Sequence, residues 1–301
     1  ILPFAWNAYT KFGSELNITA ISQKDIIDFF PTPQMRLSFQ QRVEEKARLN
    51  DTAGQGEYVS LDETNGKLNE YFNYEFGYGE IKPVYTAHLE TILPAWRKKL
   101  IEKKWLLEEE FDINQLYIKK DGIQYSGISA GKIIFCDGNS SNTNPYFQQL
   151  PFAPNKGEVI IAEIPGLPNH HIYKRGLMLA PLATPDLWWI GSNYAWDFED
   201  EKPTDEFRNK TEQLLKDWLK TPFTVREHHC GIRPATLERR PFAGLHPQHP
   251  GIGILNGMGT KGCSLAPFFA RQLVDNIVHN KPISPEASVE RFSKILNRNI
   301  S

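Results

Sequence analysis

The sequence of 301 residues predicts an α/β fold with α+β character, in which a parallel sheet and an antiparallel sheet share one chain. Residues 132–138 form a continuous apolar run that ends in a glycine turn, which is typical of a strand buried in a parallel sheet. Residues 157–196 contain short apolar runs separated by proline and glycine, which favours antiparallel strands. Residues 251–270 indicate a strand, a glycine-rich turn and the start of a helix. Because no repeat or low-complexity linker separates these blocks, we expect the two units to be interleaved.

The first half of the chain is expected to combine helices with short strands. Apolar residues at helical spacing predict helices over residues 1–16 and 89–100, and residues 32–49 are predicted as a polar, charge-rich helix. Pro94 should kink the third helix or move its start, because proline in a helix interior costs about 3 kcal/mol. The remaining predictions for this half are strands within residues 18–30, 72–84, 105–111 and 122–125, and a loop over residues 50–56.

The second half is expected to hold three antiparallel strands, followed by helices and further strands. Tyr194 and Trp196 alternate on the third strand, where aromatic rings form either core or the wall of an apolar pocket. The elements predicted here are strands over residues 158–164, 172–180, 188–196, 223–232 and 251–256, helices over residues 204–220 and 262–279, and one last helix.

Composition and charge exclude several classes of protein. A net charge of −2 argues against a general nucleic-acid binder, and no run of about 18 apolar residues exists to span a membrane. The first residues lack the basic and apolar regions of a signal peptide. Three widely spaced cysteines indicate a reducing cytoplasm. The adjacent His228 and His229 should project to opposite faces of a strand, so we expect no metal site.

The glycine-rich turn has the spacing of a dinucleotide fingerprint at Gly257, Gly259 and Gly262. That fingerprint also needs a second strand, with an acidic residue about 20 positions further on, and no such strand follows here. The pattern therefore argues against a phosphate loop. Glycines nevertheless let a flat ligand lie against the backbone, and the start of a helix favours an electron-rich atom. An ordinary strand-to-helix turn is the alternative.

Arg233 ends a predicted strand and is a candidate for binding a carboxylate. Its planar guanidinium can hold a carboxylate through two parallel hydrogen bonds, which a lysine cannot do. A salt bridge on the protein surface is the alternative interpretation of the same position.

Four motifs along the chain resemble one known family when they are taken together. They are Ile-Ile-Phe-Cys-Asp-Gly at 133–138, Pro-Asn-Lys-Gly-Glu at 154–158, Gly-Ile-Arg-Pro-Ala-Thr at 231–236, and Leu-Asn-Gly-Met-Gly-Thr-Lys-Gly at 255–262. In this order they resemble the FAD-dependent D-amino-acid oxidase superfamily, over essentially the whole chain. Within it the chain looks similar to bacterial glycine or sarcosine oxidase-like proteins, and to the oxidase domain of a tRNA wobble-uridine modification enzyme.

The resemblance implies a more specific fold. Relatives begin with a strand, a GxGxxG turn and a helix that bind the FAD diphosphate, and this sequence starts after that unit. The expected architecture is a truncated FAD/NAD(P)-binding domain interleaved with an antiparallel-sheet substrate domain. The former is assigned to residues 1–16, 80–145 and 245–301, and the latter to residues 17–79 and 146–244.

The resemblance also implies a reaction, a cofactor and a set of site residues. The reaction is oxidation of a C–N bond in an amino acid or secondary amine by hydride transfer to FAD, with the flavin rather than a side chain as the catalytic group. Arg233, Tyr194 and Lys261 are expected to contact this small-molecule substrate. The turn is expected beside the pyrimidine end of the flavin ring, and the cofactor-binding residues are Gly138, Asn256, Gly257, Met258, Gly259, Thr260, Lys261 and Gly262.

Two other functions stay open at this point. The tRNA-modifying branch would act on RNA, which a near-neutral chain does not favour without a basic patch. A chain without the diphosphate-binding turn could instead be a non-catalytic fragment that cannot hold FAD. The sequence leaves the substrate, the electron acceptor and the oligomeric state undetermined.

Overall fold

The structure is a computed structural model that describes residues 1–50, 59–61, 66–119 and 122–297, with the backbone alone for 46–50. Most of the predicted loop at 50–56 therefore lies outside the described residues, and Asn50 ends a helix. None of the helices in the described part of the chain is long and apolar enough to cross a membrane. The described α-helices are α1 (Leu2–Leu16), α2 (Pro33–Asn50), α3 (Leu89–Glu102), α4 (Asp205–Trp218), α5 (Gly262–His279) and α6 (Ser293–Leu296).

The strands of the described residues are short, apart from two that form one edge of the largest sheet. In chain order they are β1 (Ile21–Gln23), β2 (Ile26–Phe29), β3 (Val59–Leu61), β4 (Tyr78–Ile81), β5 (Tyr85–Ala87), β6 (Leu116–Lys119), β7 (Gly122–Tyr125), β8 (Ile128–Ala130), β9 (Ile133–Phe135), β10 (Asn155–Glu163), β11 (Ile172–Arg175), β12 (Leu177–Pro181), β13 (Leu187–Gly191), β14 (Thr224–Arg233), β15 (Phe242–Leu245) and β16 (Ile252–Asn256).

An eight-stranded sheet is the largest element of the fold. Its order is β14-β10-β13-β12-β11-β2-β4-β3, and every pair is antiparallel except β11 with β2. Its strands come from residues 26–81 and 155–233, and β3 is a strand that the sequence did not predict. Helix α4 contributes Leu215 and Trp218, both fully buried, to the core cluster that also contains Ile160 and Trp188 of this sheet. This burial of large side chains is the main stabilising contribution of that cluster.

A second, three-stranded sheet has the order β15-β16-β9 and supports the glycine turn. Strands β16 and β9 are parallel, with Ile252 opposite Ile133, which confirms the pairing mode predicted from the apolar run. Phe242, Ile252 and Ile254 are fully buried in its core, and helix α5 packs beside it against α1. The two strands that carry predicted cofactor residues therefore end side by side.

Helix α3 begins at the predicted residue although it contains proline. It spans Leu89–Glu102 with Pro94 inside, so the proline does not move the helix start. Proline has no N–H to donate, so the carbonyl of Glu90 loses its intrahelical partner. Glu90 lies in the first turn, close to the end of the helix, where a lost hydrogen bond disrupts the fewest neighbouring turns.

Three predicted strand segments differ from the structure. Residues 172–180, predicted as one strand, form the antiparallel pair β11 and β12, which turns at Gly176 with a φ of 76°. Residues 105–111 form no strand: three consecutive glutamates interrupt the apolar pattern, Trp105 is 70% exposed, and Glu108 pairs with Arg97 of α3. Strand β13 ends at Gly191, so Tyr194 and Trp196 lie in a loop rather than on a strand. The physical reason is a side-chain contact with β10. Oδ1 of Asn193 accepts from the backbone N–H of Glu158 at 2.7 Å, in the place of a strand partner. After Asn193 a single bridge, between Lys156 and Ala195, pairs this segment with β10.

Candidate functional site

The ends of β9 and β16 are joined by the side chain of Asn256. Its Nδ2 donates to the carbonyl oxygen of Gly138 at 2.7 Å and to Oγ of Ser141 at 2.7 Å. Its Oδ1 accepts from the backbone N–H of Gly257 at 2.8 Å. Asn256 is 6% exposed, so these bonds are made in a largely dry environment. The structure thus brings Gly138 together with the first residues of the glycine turn.

Asp137 completes this network on the β9 side. Its carboxylate accepts from the hydroxyl of Ser141 and from Nδ2 of Asn144 at 3.3 Å. Ser141 and Asn144 are both buried; Ser141 lies in the short helical turn Gly138–Asn142 that follows β9, and Asn144 lies two residues after it. The network holds the backbone around Gly138 in a fixed shape. Gly138 itself has a φ of 58° and open space at its missing side chain.

The glycine turn requires its first two glycines but not its third. Gly257 has a φ of 77°, and a Cβ there would lie 2.7 Å from Cγ2 of Thr236. Gly259 has a φ of 52°, and its N–H donates to the carbonyl of Pro234 at 3.2 Å. The turn therefore rests on the segment that follows Arg233. A Cβ at Gly262 would meet nothing, and its φ is an ordinary helical −52°.

Helix α5 begins at Gly262, directly after this turn, and no side chain caps its N-terminus. The first turn of a helix carries partial positive charge because its N–H groups are not fully paired. Thr260 and Lys261 are exposed at this point, and the Lys261 ammonium forms no ion pair with any described residue. The start of α5 is thus an electropositive surface beside the turn.

Arg233, at the end of β14, is surrounded by neutral oxygen acceptors. Its Nη1 donates to Oδ1 of Asn155 at 2.8 Å, to the carbonyl of Asn193 at 3.1 Å and to that of Lys156 at 3.5 Å. Its Nη2 donates to Oγ of Ser192 at 2.6 Å. Among the described residues no carboxylate pairs with Arg233. Its positive charge is therefore positioned but not neutralised.

The guanidinium of Arg233 lies between a glycine and a tyrosine. A Cβ on Gly157 would come within 1.9–2.3 Å of three guanidinium atoms, so only glycine fits beneath it. The ring of Tyr194 covers the guanidinium, with its centroid 4.7 Å from Cζ. Burial lowers the pKa of Arg233, but a guanidinium is not deprotonated in proteins, so the group stays charged. The structure thus brings Arg233 and Tyr194 together, and Tyr194 remains 58% exposed.

Sequence reasoning missed the residues that hold Arg233. Asn155 and Gly157 lie on β10, while Ser192 and Asn193 follow β13. The only available signal was the Pro-Asn-Lys-Gly-Glu motif at 154–158, whose glycine is the register partner of Gly231. The contact crosses three strands, and local spacing carries no information about it.

A cleft of about 930 Å³ runs along the edge of β9 that has no strand partner among the described residues. Its volume lies in the range that ligand sites usually occupy. It reaches from apolar side chains to the polar network at the end of β9. Its lining includes Phe111, Ile133, Phe135, Asp137, Ser140 and Asn144.

The two adjacent histidines project to opposite faces of β14. His228 is largely buried with Nε2 3.1 Å from the carboxylate of Glu158, whereas His229 is exposed with Nε2 2.5 Å from Glu227. No group of three or more His, Cys, Asp or Glu side chains within the described residues could hold a metal ion.

Comparison with known proteins assigns this arrangement to a family. The model of a family described as FAD dependent oxidoreductase matches residues 92–276, which is more than half of the chain. The chain belongs to this family of FAD dependent oxidoreductases. The matched segment contains both the Arg233 pocket and the glycine turn.

Solved structures of two oxidases and one dehydrogenase share its fold at low sequence identity. Iminodiacetate oxidase from Chelativorans sp. BNC1 is 18% identical with a TM-score of 0.73, over 97% of this chain and 81% of that chain. Glycine oxidase from Geobacillus kaustophilus is 16% identical with a TM-score of 0.75, over 99% and 83%. L-proline dehydrogenase from P. horikoshii is 15% identical with a TM-score of 0.74, over 97% and 82%. At these identities the likeness concerns the fold.

Proposed function

We propose that this protein oxidises the C–N bond of a small amino acid or secondary amine with FAD as the electron acceptor. The observation that carries the proposal is the Arg233 pocket, where a positioned guanidinium lacks a carboxylate partner among the described residues. A half-buried charge without a counter-ion is costly, so the pocket favours an anionic ligand. The N–H of Gly259 in the glycine turn donates to the carbonyl of Pro234, the residue after Arg233. An anion held by Arg233 would therefore lie beside the expected cofactor.

The residues present fit a flavin. The missing side chains of Gly138 and Gly262 leave open space, and no side chain caps the start of α5. We assign cofactor binding to Gly138 and to the turn Asn256, Gly257, Met258, Gly259, Thr260, Lys261 and Gly262. We assign residues 1–16, 80–145 and 245–301 to the FAD-binding domain, and residues 17–79 and 146–244 to the substrate domain.

The side chains of this protein position and stabilise rather than react. FAD, when bound, supplies the acceptor for the hydride that leaves the carbon next to nitrogen. Arg233 holds the substrate carboxylate through its guanidinium, and the Tyr194 ring shields that contact from water. The start of α5 favours negative charge nearby, an effect worth about 0.3–1 kcal/mol. Lys261 adds a second positive charge, toward either the substrate or the cofactor.

The named compounds of the structural neighbours support this class of substrate. Iminodiacetate, glycine and L-proline each carry a carboxylate one carbon away from an amine nitrogen. An arginine that binds the carboxylate fixes that carbon at a defined distance from the guanidinium. Such positioning of the reacting atom lowers a reaction barrier. The same logic favours substrates with an amine on the carbon next to the carboxylate, because an anchored carboxylate fixes the position of that carbon.

Cofactor binding is the first test of the proposal. The purified protein is titrated with FAD, and the visible absorption spectrum and intact mass are recorded. We expect a bound-flavin spectrum at one FAD per chain. Failure to bind FAD would favour a non-catalytic fragment and contradict the proposal.

A further inference from the structure

A buried carboxylate lies on the face of β10 opposite to Arg233. Glu158 is 2% exposed, and its carboxylate accepts from the backbone N–H of Thr204 at 2.6 Å and from the Thr204 hydroxyl at 2.9 Å. It also accepts from Nδ2 of Asn193 at 3.3 Å, and Nε2 of His228 lies 3.1 Å away. A buried carboxylate with this many partners is fixed in position.

Asn193 connects this carboxylate to the Arg233 pocket. Its side chain binds Glu158 twice, because Oδ1 accepts from the Glu158 N–H at 2.7 Å while Nδ2 donates to the carboxylate. Its backbone carbonyl accepts from Nη1 of Arg233 at 3.1 Å. The preceding residue, Ser192, accepts from Nη2. Two of the four oxygens that orient the guanidinium therefore belong to residues that the Asn193 side chain holds in place.

Regular strand pairing does not hold this segment. Strand β13 ends at Gly191, and residues 192–194 lie outside any strand. The side chain of Asn193 replaces the missing backbone partner of Glu158. Without that side chain the Glu158 N–H would be buried and unpaired, and residues 192–194 would lose a contact with β10 between Gly191 and the Lys156–Ala195 bridge. The guanidinium would then keep Asn155 as its remaining side-chain acceptor.

We propose that Asn193 is a positioning residue for substrate binding, with Glu158 as its anchor, and that together they set the direction of the Arg233 guanidinium. The proposal rests on the proposed function, in which Arg233 holds a carboxylate. Asn193 acts through Arg233 and does not touch the substrate. A side chain that only stabilised the fold would affect charged and neutral ligands alike, whereas a positioning side chain affects the carboxylate selectively.

The test compares a carboxylate with its neutral analogue. Binding of propionate and of propionamide to the FAD-loaded full chain is measured by calorimetry for the wild type, Asn193→Ala, and Asn209→Ala as control. Asn209 is an exposed asparagine on α4. We expect Asn193→Ala to weaken propionate binding about tenfold. The ratio of the propionate association constant to that of propionamide should fall by the same factor. The control should bind both ligands as the wild type does.

Conservative and reference variants separate the possible outcomes. Glu158→Gln keeps an oxygen that accepts from Asn193 and Thr204, so it should hold propionate affinity within about threefold of the wild type. If Asn193→Ala does not fold, Asn193→Asp replaces it, since a second carboxylate against Glu158 should have the same selective effect. An unchanged propionate-to-propionamide ratio in the Asn193 variant would overturn the inference. If Arg233→Met also left propionate affinity unchanged, the proposed carboxylate site itself would be wrong.

Discussion

The most informative single residue of the site is Arg233, because its charge is oriented by neutral groups. Asn155, Ser192 and two backbone carbonyls supply acceptors without supplying negative charge. In a surface ion pair the charge would be neutralised, and little affinity for an anion would remain. The position of Arg233 could be predicted from the sequence, because an arginine at a strand end is a local feature. Its acceptors could not, because they meet only after three strands pair.

Gly157 offers a test of Arg233 orientation that leaves the arginine itself intact. In Gly157→Ala the new Cβ would overlap the guanidinium, so Arg233 must leave its pocket. We expect carboxylate affinity to fall at least tenfold, as it would after loss of one charged hydrogen-bonded contact of about 1.5–3 kcal/mol. Gly131→Ala is the matched control, because a Cβ there meets nothing. Wild-type affinity in Gly157→Ala would show that the guanidinium position is not required.

At the scale of elements, the glycine turn and helix α5 form the second half of the site. The strand, turn and helix were all predictable from residues 251–279, because their signals are contiguous. The aromatic segment after β13 was not, since the Asn193 side chain ends strand pairing from a distance. The segment at 105–111 failed for a different reason: its aromatic residues suggested a strand, but its glutamates keep it in solvent.

The first and third glycines of the turn should respond differently to alanine. Gly257→Ala forces a side chain into a positive φ and against Thr236, so we expect a loss of about 1–3 kcal/mol in unfolding free energy. Gly262→Ala lies in open space at a helical φ, and it should stabilise the protein without FAD by up to about 1 kcal/mol. Urea unfolding measures both. If FAD occupies the open space, Gly262→Ala should also bind FAD more weakly, and unchanged FAD affinity would contradict the assignment of Gly262.

At the scale of the whole molecule, two sheets are built from alternating segments of one chain. The fold class could be predicted because each segment carries its own period, apolar throughout for β9 and punctuated by turns for the antiparallel block. The full eight-strand order was not predictable, because β2, β3 and β4 join it from more than 70 positions earlier in the chain than the nearest strand of the 155–233 block.

Acid should destabilise the fold through His246. This side chain is 1% exposed, and burial, followed by the nearby His249, lowers its pKa to about 4. The unfolded chain, with a pKa near 6.5, therefore binds more protons than the folded chain below that pH, so stability falls as pH drops from about 6.5 toward 4. Between pH 7 and pH 5 we expect a loss of about 2 kcal/mol from this group. Urea unfolding at both pH values measures it.

The His246→Asn variant isolates that contribution. Asparagine keeps an acceptor for the N–H of Gln248, which lies 3.2 Å from Nδ1 of His246, and it does not titrate. The pH dependence of the variant should therefore be flatter than that of the wild type by about the same amount. The exposed His279→Asn is the control and should retain the full dependence. Equal slopes in all three proteins would contradict the assignment to His246.

The most direct measurement of the central claim is anaerobic bleaching of the bound flavin by a small amine. The FAD-loaded protein is mixed with glycine, sarcosine, L-proline or iminodiacetate, and with glycinamide as a comparison that lacks the carboxylate, and flavin absorbance is followed. We expect at least one carboxylate to bleach the flavin and glycinamide to fail. Arg233→Lys should retain FAD but require about 10-fold to 100-fold more of that carboxylate for half-maximal bleaching. Bleaching that is independent of both the carboxylate and Arg233 would contradict the account.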